Sequence, residues 1–111
     1  MLDNVIDYED FAKIELKVGT IISAEALTES DKLLKLQIDL GEENPRQIIA
    51  GLKLVYEPND LINQQVIVVA NLKPRTLMNH VSEGMLLAGS DLEKLALIAP
   101  ITNLKNGAKI R

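Results

Sequence analysis

The feature that most constrains this chain is the run from 34 to 40. There Leu34, Leu36, Ile38 and Leu40 alternate with Lys35, Gln37 and Asp39. Side chains that repeat every two residues point to opposite faces of a strand, so this run predicts a β-strand with one buried face and one wet face. No apolar stretch elsewhere keeps a 3.6-residue period beyond about two turns, which excludes a helical bundle. The chain reads as all-β.

The remaining elements follow from the same test. Tyr8-Glu9-Asp10-Phe11-Ala12-Lys13 predicts a short helical turn, with Asp7 placed to cap it. Ile14, Leu16 and Val18 then alternate with Glu15 and Lys17; Gly19 interrupts and Ile21-Ile22 resumes, which predicts one long strand bent or bulged at the glycine. After the polar turn Thr28-Glu29-Ser30-Asp31-Lys32 comes the second strand. A loop from Gly41 to Pro45 leads to a third, Gln47-Ile48-Ile49-Ala50, ended by Gly51. Tyr56-Glu57-Pro58-Asn59-Asp60-Leu61 predicts one helical turn with Pro58 near its start. Val66-Ile67-Val68-Val69-Ala70 is a continuous β-branched run, the pattern of a central strand covered on both faces. Asn71-Leu72-Lys73-Pro74-Arg75 leaves that strand as a loop, because the residue before a proline avoids the helical region. Ser82-Glu83-Gly84 turns into a fifth strand, Met85-Leu86-Leu87-Ala88.

Five short strands with a helical turn between the third and fourth match the order of elements in a five-stranded Greek-key OB-fold barrel. The 111 residues, 47% of them apolar, suffice for one such domain, 1–111, and leave no room for a second core. From about residue 90 the chain runs on as a C-terminal extension. Its apolar segment 95–101 is surplus to a five-stranded barrel, and its tail closes on Gly107-Ala108-Lys109-Ile110.

Several functions are disfavoured. The absence of cysteine removes disulfides and thiolate metal sites, and one histidine leaves almost no means of holding zinc. That histidine, His80, reads as an exposed loop residue with no nucleophile in reach. No Gly-x-Ser-x-Gly or phosphate-loop motif is present, and the acids are scattered, so neither an enzyme nor a cofactor is expected. The first ten residues carry Asp3, Asp7, Glu9 and Asp10 and no basic residue, unlike a secretory signal. No window approaches the roughly 18 apolar residues of a membrane helix. A cytoplasmic protein without a membrane partner is expected.

Binding is the better expectation. An OB-fold presents ligands to the face of strands 2 and 3 and to the loops joining strands 1–2 and 4–5. The net charge of −4 is unusual for a nucleic-acid binder, yet between Lys32 and Arg75 six bases face five acids. Five of those bases, Lys32, Lys35, Arg46, Lys73 and Arg75, fall on the expected ligand elements. None of the three aromatics, Tyr8, Phe11 and Tyr56, falls on strand 2 or 3. A stacking platform for single strands, worth about 1–3 kcal/mol per base, is therefore missing, which favours a structured RNA recognised by its backbone.

Four blocks in order, Lys32-Leu33-Leu34-Lys35-Leu36, Arg46-Gln47-Ile48-Ile49-Ala50-Gly51, Val68-Val69-Ala70-Asn71-Leu72-Lys73-Pro74 and Ser82-Glu83-Gly84-Met85-Leu86-Leu87-Ala88, resemble the tRNA-binding domain family. That family includes the C-terminal domains of bacterial methionyl-tRNA synthetases, free-standing homodimeric tRNA-binding proteins and CsaA-type export chaperones. The resemblance implies a non-catalytic homodimer that binds tRNA by shape, in some cases in association with an aminoacyl-tRNA synthetase. It further implies dimerisation through the segment 95–101. Carried over by motif, it implies RNA contacts from Lys32, Asn71, Lys73, Ser82 and Met85. The alternative within the family is a CsaA-like protein that binds unfolded polypeptides on an apolar dimer surface. Glu83 stands where the family has glutamine, and is expected to place a negative charge beside the groove. Lys17-Val18-Gly19 replaces the family's Arg-Val-Gly, and Asn79-His80-Val81 replaces the glycine before the serine motif.

Overall fold

The computed structural model describes residues 2–111. The alternating run forms strand β2 (Leu34–Asp39), with Leu34, Leu36 and Ile38 fully buried. It lies between β1 (Leu16–Ala26) and β3 (Arg46–Ala50), and β4 (Gln65–Val69) and β7 (Met85–Leu86) complete the antiparallel order β3-β2-β1-β4-β7. The sheet curls into a nearly closed barrel. The short β10 (Lys109–Ile110) pairs with Leu16 and Lys17 on β1.

The interior is filled from every wall, by Ile21 of β1, the β2 set, Ile48 of β3, Val66 and Val68 of β4 and Leu86 of β7. Helix α2 (Pro58–Leu61) starts with Pro58 in its first turn and caps one end by inserting the buried Leu61. Truncating a member such as Ile38 to alanine costs about 2–5 kcal/mol by the usual cavity rule.

The β-branched run is buried on both faces, as its composition predicts. Val66, Val68 and Ala70 face the barrel, while Ile67 and Val69 join Leu16 and Val18 in a second, smaller core. Phe11 of helix α1 (Tyr8–Ala12) and Ala108 and Ile110 of the tail cover that second core. Asp7 occupies the cap position of α1 but makes no side-chain capping hydrogen bond.

Three expectations need correction. The bulge in β1 is at Ile22, where the β1–β2 register slips between Ile21 and Ser23, and not at Gly19, which pairs regularly with Val66. Gly19 serves close packing instead: a Cβ there would sit 2.6 Å from Ile38 Cγ2 and 2.8 Å from Leu40 Cδ2. Second, Arg75 and His80, both expected in loops, lie in a hairpin of β5 (Arg75–Leu77) and β6 (His80–Ser82), joined through Met78 and Asn79. Both turn residues have positive φ, 49° and 66°, as a two-residue type I′ turn requires. Third, the fifth strand breaks after Leu86, and β8 (Ala88–Ser90) pairs with β9 (Leu95–Leu97) as a separate hairpin. Leu95 and Leu97 pack on the barrel core, whereas Ile98, Ile101 and Leu104 are exposed.

Candidate nucleic-acid interface

The barrel has a seam between β3 and the segment 81–86, and side chains close much of it. Ser82 is 3% exposed; its hydroxyl accepts the Ile49 N–H at 3.0 Å and donates to the Gly84 carbonyl at 3.2 Å. Gln47 and Glu83 pair reciprocally. The Glu83 N–H donates to the Gln47 carbonyl at 2.8 Å, and the Gln47 N–H donates to the Glu83 carboxylate at 3.1 Å. The Gln47 side-chain amide adds a bond to the Val81 carbonyl at 2.9 Å. Buried polar groups left without such partners would each cost about 1–3 kcal/mol.

Arg46 fixes the same corner. Its guanidinium donates to the carbonyls of Ala70 and Glu83 and forks onto both oxygens of Glu42, each at 2.9 Å. The hydrogen bonds from Arg46 hold the Glu42 carboxyl below its ordinary range, and Glu42 in turn raises the Arg46 pKa. Asn71 ties down the N-terminal approach to β1: its carbonyl oxygen accepts the Glu15 N–H at 2.9 Å and its amide donates to the Lys13 carbonyl at 2.7 Å.

Over the seam lies a cavity of about 340 Å³ lined by Ile49, Leu72, Lys73, Arg75, Ser82, Gly84 and Met85. Four of the eight residues expected at the site, Lys73, Arg75, Ser82 and Met85, thus come together. Lys73 and Arg75 are exposed, and among the described residues neither has an ion-pair partner. A second hollow, sharing Ile49, Arg75 and Met85, continues the groove toward Leu95 and Leu97.

The other four stand elsewhere. Lys32 is exposed on the loop between β1 and β2, which Ser30 orders by accepting the N–H groups of Lys32 and Leu33 at 3.1 and 3.2 Å. Lys35 lies opposite Ile49 in the β2–β3 register, at the border of the groove, but pairs with Glu25 at 2.8 Å. Arg46 is committed to backbone carbonyls and Glu42, and Asn71 to backbone groups. His80 is a strand residue, not a free loop residue, and its Nε2 lies 3.3 Å from Glu29 on the β1–β2 loop.

Sequence reasoning missed four contributors. Ile49 was legible as the second of two isoleucines, since adjacent strand residues cannot both face inward. Leu72 was legible as an apolar residue in a loop. Nothing in the sequence marks Gln47 as a seam residue. Lys53, whose ammonium donates to the carbonyls of Leu27 at 3.2 Å and Ser30 at 2.7 Å, likewise carries no signal of its own.

Comparison with known proteins places this geometry. Residues 16–109 match the family described as "Putative tRNA binding domain". The methionine–tRNA ligase of Helicobacter pylori strain J99 is 55% identical over 98 residues; the match covers 88% of this chain and 15% of the ligase, so the chain spans only a small part of that relative's length. Among solved structures, a MetRS-related protein from Pyrococcus horikoshii superposes with a TM-score of 0.90 at 31% identity, covering 97% of this chain and 99% of that one. The chaperone CsaA from Bacillus anthracis strain Ames superposes with a TM-score of 0.86 at 33% identity, covering 96% and 99%.

Proposed function

The chain belongs to the tRNA-binding domain family, and on that premise we propose that it is a non-catalytic module that binds folded tRNA by backbone shape. The observation that carries this reading is the pairing of Lys73 and Arg75, two cations without carboxylate partners among the described residues, with an apolar cavity beside the barrel seam. Lys73 and Arg75 would take phosphates, and Met85 would contact a base or ribose. Lys32 would extend the phosphate track along the β1–β2 loop, with Lys35 joining once it leaves Glu25. Arg46, Asn71 and Ser82, expected as contacts, would act by holding the surface in shape.

The aromatics support shape recognition. The Tyr56 hydroxyl accepts the Leu97 N–H at 3.0 Å, and Tyr8 and Phe11 lie on α1, so none lines the cavity. Glu83 keeps its charge, but its carboxylate accepts the Gln47 N–H and is not part of the cavity lining. A non-catalytic role fits a cavity whose one hydroxyl is already bonded twice and whose lining holds neither histidine nor carboxylate.

A homodimer through 95–101 fits the exposure of Ile98 and Ile101, as does association with an aminoacyl-tRNA synthetase through the same apolar surface. A cytoplasmic location accords with this reading. The exposed Ile98, Ile101 and Leu104 also favour a second reading, a CsaA-like hold on unfolded polypeptide. One experiment tests both: binding to folded tRNA, a single-stranded oligonucleotide and a denatured polypeptide across a salt series. The leading reading requires tRNA affinity that falls steeply with salt. Equal binding of single strands would sink shape recognition, and polypeptide binding without tRNA binding would select the second reading.

A further inference from the structure

We infer that the cavity over the seam holds one unpaired nucleotide and does not read its base, an inference that rests on the RNA-binding proposal and specifies the ligand unit. Its volume, about 340 Å³, is at the lower end of the roughly 300–1,000 Å³ in which proteins hold small molecules, so it suits one nucleotide and not a stacked run. Its chemistry is divided. Ile49, Leu72 and Met85 offer apolar surface, the last two about half exposed at 46% and 48%, while Lys73 and Arg75 add positive charge. An apolar surface beside cations matches a base beside its own phosphate.

The lining also lacks the means to discriminate. Reading a base edge takes side-chain donors and acceptors aimed at it. The one neutral polar side chain here, Ser82, spends its hydroxyl on Ile49 and Gly84. Lys73 and Arg75 could reach a guanine edge, but in this arrangement both are taken by phosphate and neither is left to read one. A duplex cannot present a base to such a cavity without unstacking it, so the occupant is a bulged, looped or terminal nucleotide. Shape recognition would then include one feature that a continuous helix lacks.

The test uses the full chain and methyl NMR, with the four nucleoside 5′-monophosphates and inorganic phosphate as probes. All four nucleotides should shift the Met85 and Leu72 methyls, with affinities within about threefold of one another, as expected for sequence-tolerant contact. Inorganic phosphate should leave those methyls in place. With folded tRNA, Met85→Ala should weaken binding about fivefold at an unchanged salt slope, whereas Lys73→Ala should reduce the slope. Leu72→Ser provides a second half-exposed variant and should behave like Met85→Ala. Equal methyl shifts from phosphate, strong selection of one base, or tRNA affinity unchanged in both apolar variants would overturn the inference. Nucleotide shifts at Met85 without any tRNA binding would remove the tRNA reading and leave the nucleotide site standing.

Discussion

Ser82 Oγ stands in the place of a strand neighbour for Ile49, accepting its N–H at 3.0 Å where the barrel would otherwise need a backbone carbonyl. A residue expected to face RNA is thus a closing bond of the fold. Ser82→Ala would strand the buried Ile49 N–H and cost about 1–3 kcal/mol. Urea unfolding should show a lower midpoint with an unchanged m-value. Wild-type stability in this variant would refute the closing role.

Lys73 and Arg75 are predicted to be phosphate contacts. Each alanine substitution should lower the log–log salt slope for tRNA by about one, with little change in stability because both side chains are exposed. Lys35→Ala should matter less, since Glu25 already engages that ammonium at 2.8 Å. A slope that survives loss of both Lys73 and Arg75 would move the interface elsewhere.

Arg46→Lys is predicted to be a damaging exchange despite keeping the charge. One guanidinium reaches Glu42, the Ala70 carbonyl and the Glu83 carbonyl together. A lysine ammonium has no planar fork to reproduce that geometry. We expect a loss of about 1–2 kcal/mol, typical of charge-assisted bonds at a half-buried site. Thermal melts of the two proteins would measure it.

The same group gives a pH dependence. Arg46 lowers the folded-state pKa of Glu42 from its ordinary value of 4.5. The stabilisation is therefore fully present above the unfolded pKa and is lost as pH falls through the lowered folded value. Glu42→Gln should flatten that part of the acid limb, by well under about 1 kcal/mol because the pair is partly exposed and screened. An identical acid limb in the variant would show that the pair contributes nothing.

Self-association can be tested without disturbing the barrel. Ile101 is fully exposed, so Ile101→Asp should leave the melting temperature of an isolated protomer unchanged. If 95–101 forms a dimer interface, sedimentation should show the variant dissociating at concentrations where the wild type does not. A wild-type protein that sediments as a monomer at all concentrations would remove that interface.

The barrel was legible because its strands announce themselves locally. The alternation over β2 and the double-sided run of β4 each fix which side chains must be buried. The 75–82 hairpin was not legible, because type I′ turns are recognised by Asn-Gly or Asp-Gly pairs and here the positive φ values fall on Met78 and Asn79. Within the site, the positions of Lys73 and Met85 followed from motif order, and that of Arg75 from the loop expected between strands 4 and 5. The distant backbone groups that Ser82, Asn71 and Arg46 bond to did not, since Ile49, Lys13, Ala70 and Glu83 lie 24 to 58 residues away from them along the chain. A polar residue in a motif does not say whether it faces a ligand or its own backbone.

The seam has a mechanical consequence. A wall stitched by Ser82, Gln47 and Glu83 has fewer redundant bonds than a full strand ladder, so it is the line along which the barrel should breathe first, with early amide exchange at Ile49 and Glu83. The cavity straddles that line. A ligand seated there would act as a clamp across the two lips, raising the temperature at which the whole barrel comes apart, and affinity and thermal resistance would rise and fall together.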